Sequence, residues 1–196
     1  RLRRELEAAR QAGVTQALLG HIGQLPLARS FGLIPRGDFG LGLTNDETAA
    51  ELARLGFASA TASFESRLAQ IRDLSKPLDL ELLVYGRLPL MLMEHCILRN
   101  RGQGCHCQDK PQSLGDRKGE HFPVESAWGC RNELFNAKPL WLADKTDWRT
   151  AGAAYARLAF LREGPGECAR VFRAYREGAG EPPRAFTRGL YYRGVE

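Results

Sequence analysis

Leu80-Glu81-Leu82-Leu83-Val84-Tyr85-Gly86-Arg87-Leu88-Pro89-Leu90-Met91 is the stretch that decides the fold. Its first half is a short, almost unbroken apolar run ended by a glycine, the pattern of a strand buried in a sheet. What kind of sheet follows from the segments upstream.

Leu2 to Ala12 carries apolar or small residues at Leu2, Leu6, Ala9 and Gly13 with charges between, a helical period closed by glycine. Thr15 to Gly20 reads as a strand and Leu25 to Phe31 as a helix. The pattern then repeats. Asp38 to Thr44 is expected as a strand, Asn45 or Asp46 as an N-cap, and Glu47 to Leu55 as a helix stopped at Gly56. Ala58 to Phe64 and Ser66 to Leu74 make the next strand and helix, leading into the strand at Leu80. Strands alternating with single helices predict parallel βα units. Four such units make either half of an eight-stranded, TIM-like (βα) barrel or a small open sheet, and the opening inside a helical pattern at Leu2 favours residues 1–95 as the C-terminal half of a barrel. In such a barrel the C-terminal strand ends carry the site. Those ends offer His21, Asn45, Glu65 and Arg87.

Downstream the helical period disappears. Residues 96–145 form a small β and loop module in which Asp116-Arg117-Lys118-Gly119 is a turn before a strand at His121 to Ser126. Asn132 to Leu142 reads as one or two short strands broken at Pro139. Residues 146–196 are expected as C-terminal helices, Trp148 to Arg162 and Glu167 to Arg176, and a closing tail rich in Arg and Tyr.

Four of the five cysteines, Cys96, Cys105, Cys107 and Cys130, fall within the module, whereas Cys168 sits in an apolar helical stripe as a packed thiol. There is no signal-peptide pattern and no apolar run of about 18 residues, so the expectation is a cytoplasmic protein without a membrane span. Reduced cytosolic thiols gathered in this way point to metal rather than disulfides. The 43% hydrophobic and 26% charged fractions are those of a globular protein. The net charge of +5 and pI near 9.1 lean weakly toward an anionic partner such as RNA. The nucleophile elbow Gly-x-Ser-x-Gly and the zinc-protease motif His-Glu-x-x-His are both absent.

Gly20-His21-Ile22-Gly23-Gln24-Leu25, Gly37-Asp38-Phe39-Gly40-Leu41, Ser63-Phe64-Glu65 and Glu81 to Met91 resemble the collagenase-like peptidase family of unclassified catalytic type, the U-thirty-two family. Glu94-His95-Cys96, Asp116 to Gly119 before Phe122-Pro123, Cys130, Asn136, Thr187-Arg188-Gly189 and Tyr192 to Glu196 extend the likeness over nearly the whole chain. The family is named for protease activity on collagen-like substrates. The resemblance also implies another activity, known in several bacterial branches: oxygen-independent hydroxylation of tRNA, ribosomal RNA or a quinone precursor. Those branches hold a four-iron, four-sulfur cluster on four cysteines and can use prephenate as oxygen source. One branch has Ser or Ala, an apolar residue and Cys directly after the strand glycine, where this chain has Arg87-Leu88-Pro89.

On that resemblance the expected 4Fe-4S ligands are Cys96, Cys105, Cys107 and Cys130. The same cysteines, with His95, His106 or His121 replacing one, would also suit zinc. Arg87 would hold an anionic substrate group, and Glu65 or His21 would move a proton. Asn45 faces the same mouth, and Arg188, Tyr192 and Arg193 would stack on a base. Three activities remain open: an iron–sulfur hydroxylase acting on an RNA base, an endopeptidase acting on a peptide substrate, and a zinc-stabilised RNA-binding protein without catalysis.

Overall fold

The computed structural model describes residues 2–99 and 111–194. The chain is mixed α/β and divides into two compact units, each assembled from separated segments. Unit 1 comprises residues 1–84, 145–157 and 188–196; unit 2 comprises 85–144 and 158–187.

Unit 1 is a parallel sheet fed by βα connections. α1 (Leu2–Gln11) leads to β1 (Gln16–Leu19), and α2 (Leu25–Ser30) to β2 (Ile34–Gly37). α3 (Asp46–Arg54), β3 (Ser59–Thr61) and α4 (Leu68–Asp73) precede β4 (Asp79–Gly86). β1 pairs in parallel with β2 from Gln16↔Ile34 to Leu19↔Gly37, β2 with β3 at Arg36↔Ser59, and β3 with β4 at Ser59↔Asp79. A later strand, β10 (Tyr155–Ala159), lies beside β4, and both strands run on into unit 2.

One face of this sheet packs against the helices. Leu19, Ala60, Leu80 and Leu82 are buried, as are Leu25 and Ala28 of α2, Ala49 and Leu52 of α3, and Leu68 and Ile71 of α4. Each large side chain among them contributes about 1.5–3 kcal/mol by leaving water. On the opposite face Leu18 and Ile34 are 53% and 45% exposed.

Two expected elements differ. The strand expected over 38–44 lies earlier, at Ile34–Gly37. Asp38 instead caps a 3-10 turn, Phe39–Leu41, by accepting from Phe39 N at 2.8 Å, and Gly42, at φ 65°, ends it in the left-handed region. Pro35 sits within the sheet, its carbonyl accepting from Ala58 N at 2.9 Å. The helix expected over 148–162 is a 3-10 turn, Asp147–Thr150, followed by β10. Gly152, at φ 77°, breaks the helical path, and a Cβ there would meet Lys76 Cε at 2.5 Å. One α-helix therefore stands in place of the two C-terminal helices expected: α5 (Pro165–Glu177), whose Val171, Ala174 and Tyr175 are buried.

Unit 2 contains a four-stranded antiparallel sheet in the order β5-β8-β7-β6: β5 (Pro89–Met93), β6 (Gln112–Gly115), β7 (His121–Ala127) and β8 (Arg131–Phe135). The Asp116 to Gly119 turn joins β6 to β7 as expected, with Asp116 Oδ1 accepting from Lys118 N and Glu120 N. Beside it, β9 (Leu140–Trp141) pairs with the end of β4 at Tyr85↔Trp141. Trp141, Tyr85 and Tyr175 of α5 meet edge to face at centroid distances of 5.5–6.2 Å. Tyr175 Oη also accepts from Leu142 N at 2.7 Å. Gly86, at φ 125°, is required where it stands, because a Cβ would lie 2.2 Å from Ala159 O. Among the described residues no helix is long and apolar enough to cross a membrane.

Candidate functional site

The face of the unit 1 sheet opposite the helices carries a polar row. Arg157 on β10 donates from Nη1 to Asp38 Oδ1 at 2.7 Å and from Nη2 to Thr61 Oγ1 at 3.0 Å, and it pairs with Glu81. The Thr61 hydroxyl lies 2.8 Å from Glu81 Oε1 and 3.1 Å from Gly37 O, and its single proton can serve one of them at a time. Since Thr61 faces Glu81 in register and Asp38 follows Gly37, which faces Ala60, the four residues form a row across adjacent strands. Each of the three charged side chains is about one-fifth exposed.

One row toward the strand starts, Arg36 donates to Gln16 Oε1 at 2.5 Å and Ser59 Oγ at 2.8 Å, and its guanidinium lies 4.9 Å from the Tyr155 ring. The Arg157 row holds two carboxylates around one guanidinium and carries a net negative charge. Such a row can fix a ligand rich in N–H or O–H donors, and its carboxylates can accept a proton.

A parallel sheet is normally apolar on both faces. Arg36 and Asp38, Ser59 and Thr61, Asp79 and Glu81, and Tyr155 and Arg157 are polar pairs two apart, the spacing of one strand face. That spacing is the signal in the sequence for this row, and reading Asp38 as strand and Arg157 as helix hides it.

In unit 2, Cys96 and Cys130 lie at one end of the β5·β8 pair. Met93 on β5 faces Asn132 on β8, Cys96 follows three residues after Met93, and Cys130 stands two residues before Asn132. Cys130 sits in the β7–β8 turn at φ 62°, and among the described residues it is the one non-glycine with positive φ. For a side chain with a Cβ this conformation costs about 1–2 kcal/mol. Strain of this kind gathers at functional sites. Cys130 is exposed and Cys96 half-exposed. Cys105, His106 and Cys107 lie outside the described residues. Among the described residues no group of three or more His, Cys, Asp or Glu could by itself hold a metal. Cys168 is half-exposed, with Sγ 3.5 Å from Glu163 O.

The remaining expected site residues have local partners. His21 Nδ1 accepts from Gly23 N at 3.0 Å, and Asn45 Oδ1 from Thr48 N at 2.9 Å, so both cap short turns or helices. Glu65 is exposed in unit 1, its N–H donating to Ser63 Oγ at 3.2 Å. Arg87, in unit 2, donates to the carbonyls of Asn136, at 3.0 Å, and Ala137. Tyr192 donates to Asp147 Oδ1 at 2.7 Å with Lys145 Nζ 6.0 Å from its ring, Arg193 is exposed, and Arg188 is half-buried. Tyr191 is buried and donates to Leu83 O at 2.8 Å. His121, exposed on β7, lies 3.4 Å from Ser113 Oγ across the β6–β7 pair, a marginal separation for a nucleophile and its base.

Comparison of the chain with protein-family models, with curated proteins and with solved structures finds no match in any of the three.

Proposed function

We propose that this chain belongs to the collagenase-like peptidase family, with unit 1 as part of a TIM-like barrel, and that it is a cytoplasmic, iron–sulfur-dependent, oxygen-independent hydroxylase of an RNA base. The observation that carries the proposal is the placing of Cys96 and Cys130 at one end of the β5·β8 pair, with Cys130 held in the left-handed region. The donors suit the group. Two accessible thiols at the end of a small antiparallel sheet are soft ligands of the kind iron–sulfur clusters use, and Cys105 and Cys107 would complete the set. A bound cluster supplies one-electron redox chemistry.

The chain's own residues would do the rest. Asp38 and Glu81 would hold donor groups of the substrate, with Arg157 fixing both carboxylates in place. Tyr192 and Arg193 would stack on a base in a tRNA or ribosomal RNA. Prephenate is the oxygen source that the family resemblance suggests.

The test is anaerobic purification followed by iron, sulfide and zinc analysis and an absorption spectrum. About four irons and four sulfides per chain, with broad thiolate-to-iron absorption, is the expected result. A colourless protein with one zinc would overturn it and send the inquiry to peptide cleavage and RNA-binding assays.

A further inference from the structure

Asn132, the second residue of β8, is the one amide side chain among the buried polar residues described, with an exposure of 0%. Its Oδ1 accepts from Ile97 N at 2.7 Å across 35 positions, and its Nδ2 donates to Arg131 O at 3.1 Å. Next to this bond, Arg131 Nε pairs with Glu94 Oε2 at 3.2 Å. The two contacts bracket both cysteines. Cys96 lies between Glu94 and Ile97 on one segment, and Cys130 immediately precedes Arg131 on the other. The ion pair is exposed on the Glu94 side and holds weakly, whereas the Asn132 bond is made by a side chain fully withdrawn from solvent, where an unmet polar group is costly.

We propose that Asn132 is a positioning residue that fixes Cys96 against Cys130 as a pair of ligands for a thiophilic metal. The inference rests on the reading of these cysteines as metal ligands. A buried acceptor on a backbone N–H next to a ligand fixes the direction of that ligand's side chain, which is the part played by outer-shell partners at metal sites. Removing such a partner lowers metal affinity by about 10- to 100-fold.

The experiment titrates the full chain, metal-free, reduced and anaerobic, with Cd²⁺ and follows thiolate-to-metal absorption. Asn132→Ala is expected to bind about 10- to 100-fold more weakly than the wild type. Asn132→Asp keeps the acceptor and is expected to retain most of the affinity. Val124→Ala, which weakens the adjacent strand away from the bracket, is expected to bind as the wild type does. A second measurement needs no variant. By reciprocity, Cd²⁺ bound to the wild type should slow amide exchange at Ile97 by a comparable factor and leave Leu114 on β6 far less affected. Unchanged Cd²⁺ affinity in Asn132→Ala, equal loss in Val124→Ala, or Ile97 exchange that does not respond to Cd²⁺ would each overturn the positioning role while leaving the metal reading in place. A wild type that binds no Cd²⁺ would overturn both.

Discussion

Replacing Cys130 by glycine separates what this residue does for the fold from what it does for a metal. At φ 62° the cysteine carries the left-handed penalty of a side chain with a Cβ, about 1–2 kcal/mol. Glycine removes that penalty but adds about 0.5–1 kcal/mol of unfolded-state entropy. The difference leaves Cys130→Gly about 0.5–1 kcal/mol more stable in the metal-free state, a two- to five-fold slowing of exchange for amides protected by the β7·β8 pairing. Cys130→Ala keeps the Cβ and the strain and should exchange at the wild-type rate. Both variants should lose thiophilic-metal binding, so stability and ligation move in opposite directions in one of them. The assay is amide exchange at Val124 to Ser126 and Asn132 to Leu134, run without metal. If Cys130→Gly exchanges no more slowly than Cys130→Ala, the turn stores no strain at this residue.

Four further outcomes are expected. Arg157→Met should cost unit 1 about 2–3 kcal/mol, less than the 3–5 kcal/mol of a fully buried pair because each partner is one-fifth exposed. In a urea titration, adding Asp38→Asn and Glu81→Gln should recover much of that loss. Arg87→Ala should lower the stability of unit 2 by about 1–2 kcal/mol, since the guanidinium ties down two backbone carbonyls. Wild-type stability in that variant would free Arg87 for a substrate role. Gly86→Ala should leave unit 2 unfolded or rearranged by circular dichroism, because its Cβ meets backbone rather than a movable side chain.

The fourth outcome concerns pH. Burial pushes the Glu163 carboxyl up, but the N–H groups of Leu161 and Arg162 and the Tyr85 hydroxyl outweigh it and hold the group below its ordinary 4.5. A carboxyl depressed in the folded state contributes stability that is complete above the unfolded value and is lost as pH falls through the folded one. Glu163→Gln should therefore flatten the acid limb of unit 2 unfolding below about pH 4.5. An unchanged limb would show that other carboxyls govern it.

The parallel βα pattern could be read from α1 to β4 because helix periods, caps and glycine stops agreed there, as at Asn45 before α3. It failed at Ile34 to Gly37 and at Tyr155 to Ala159, where pairing with neighbouring strands overrides a local preference that is weak or opposed. The charged row went unseen for the same reason. Asp38, Thr61, Glu81 and Arg157 are far apart in sequence, and only correct strand registers bring them onto one face. Cysteine spacing drew attention to Cys96 and Cys130 directly. It carried no sign that Cys130 is left-handed or that the buried Asn132 holds the loop after β5.

The crossing of the chain between the two units bears on how the protein is made. The bond from Tyr191 to Leu83 O spans 108 positions, and the residues between them include all of unit 2. During synthesis the β1–β4 sheet would leave the ribosome long before Arg157 and Tyr191 arrive to complete unit 1. Until then, Asp38 and Glu81 stand without their shared cation and β4 lacks its β10 neighbour, so the nascent sheet is exposed to wrong partners for most of translation. Pausing or chaperone capture in that interval would act on yield without touching the stability of the finished protein.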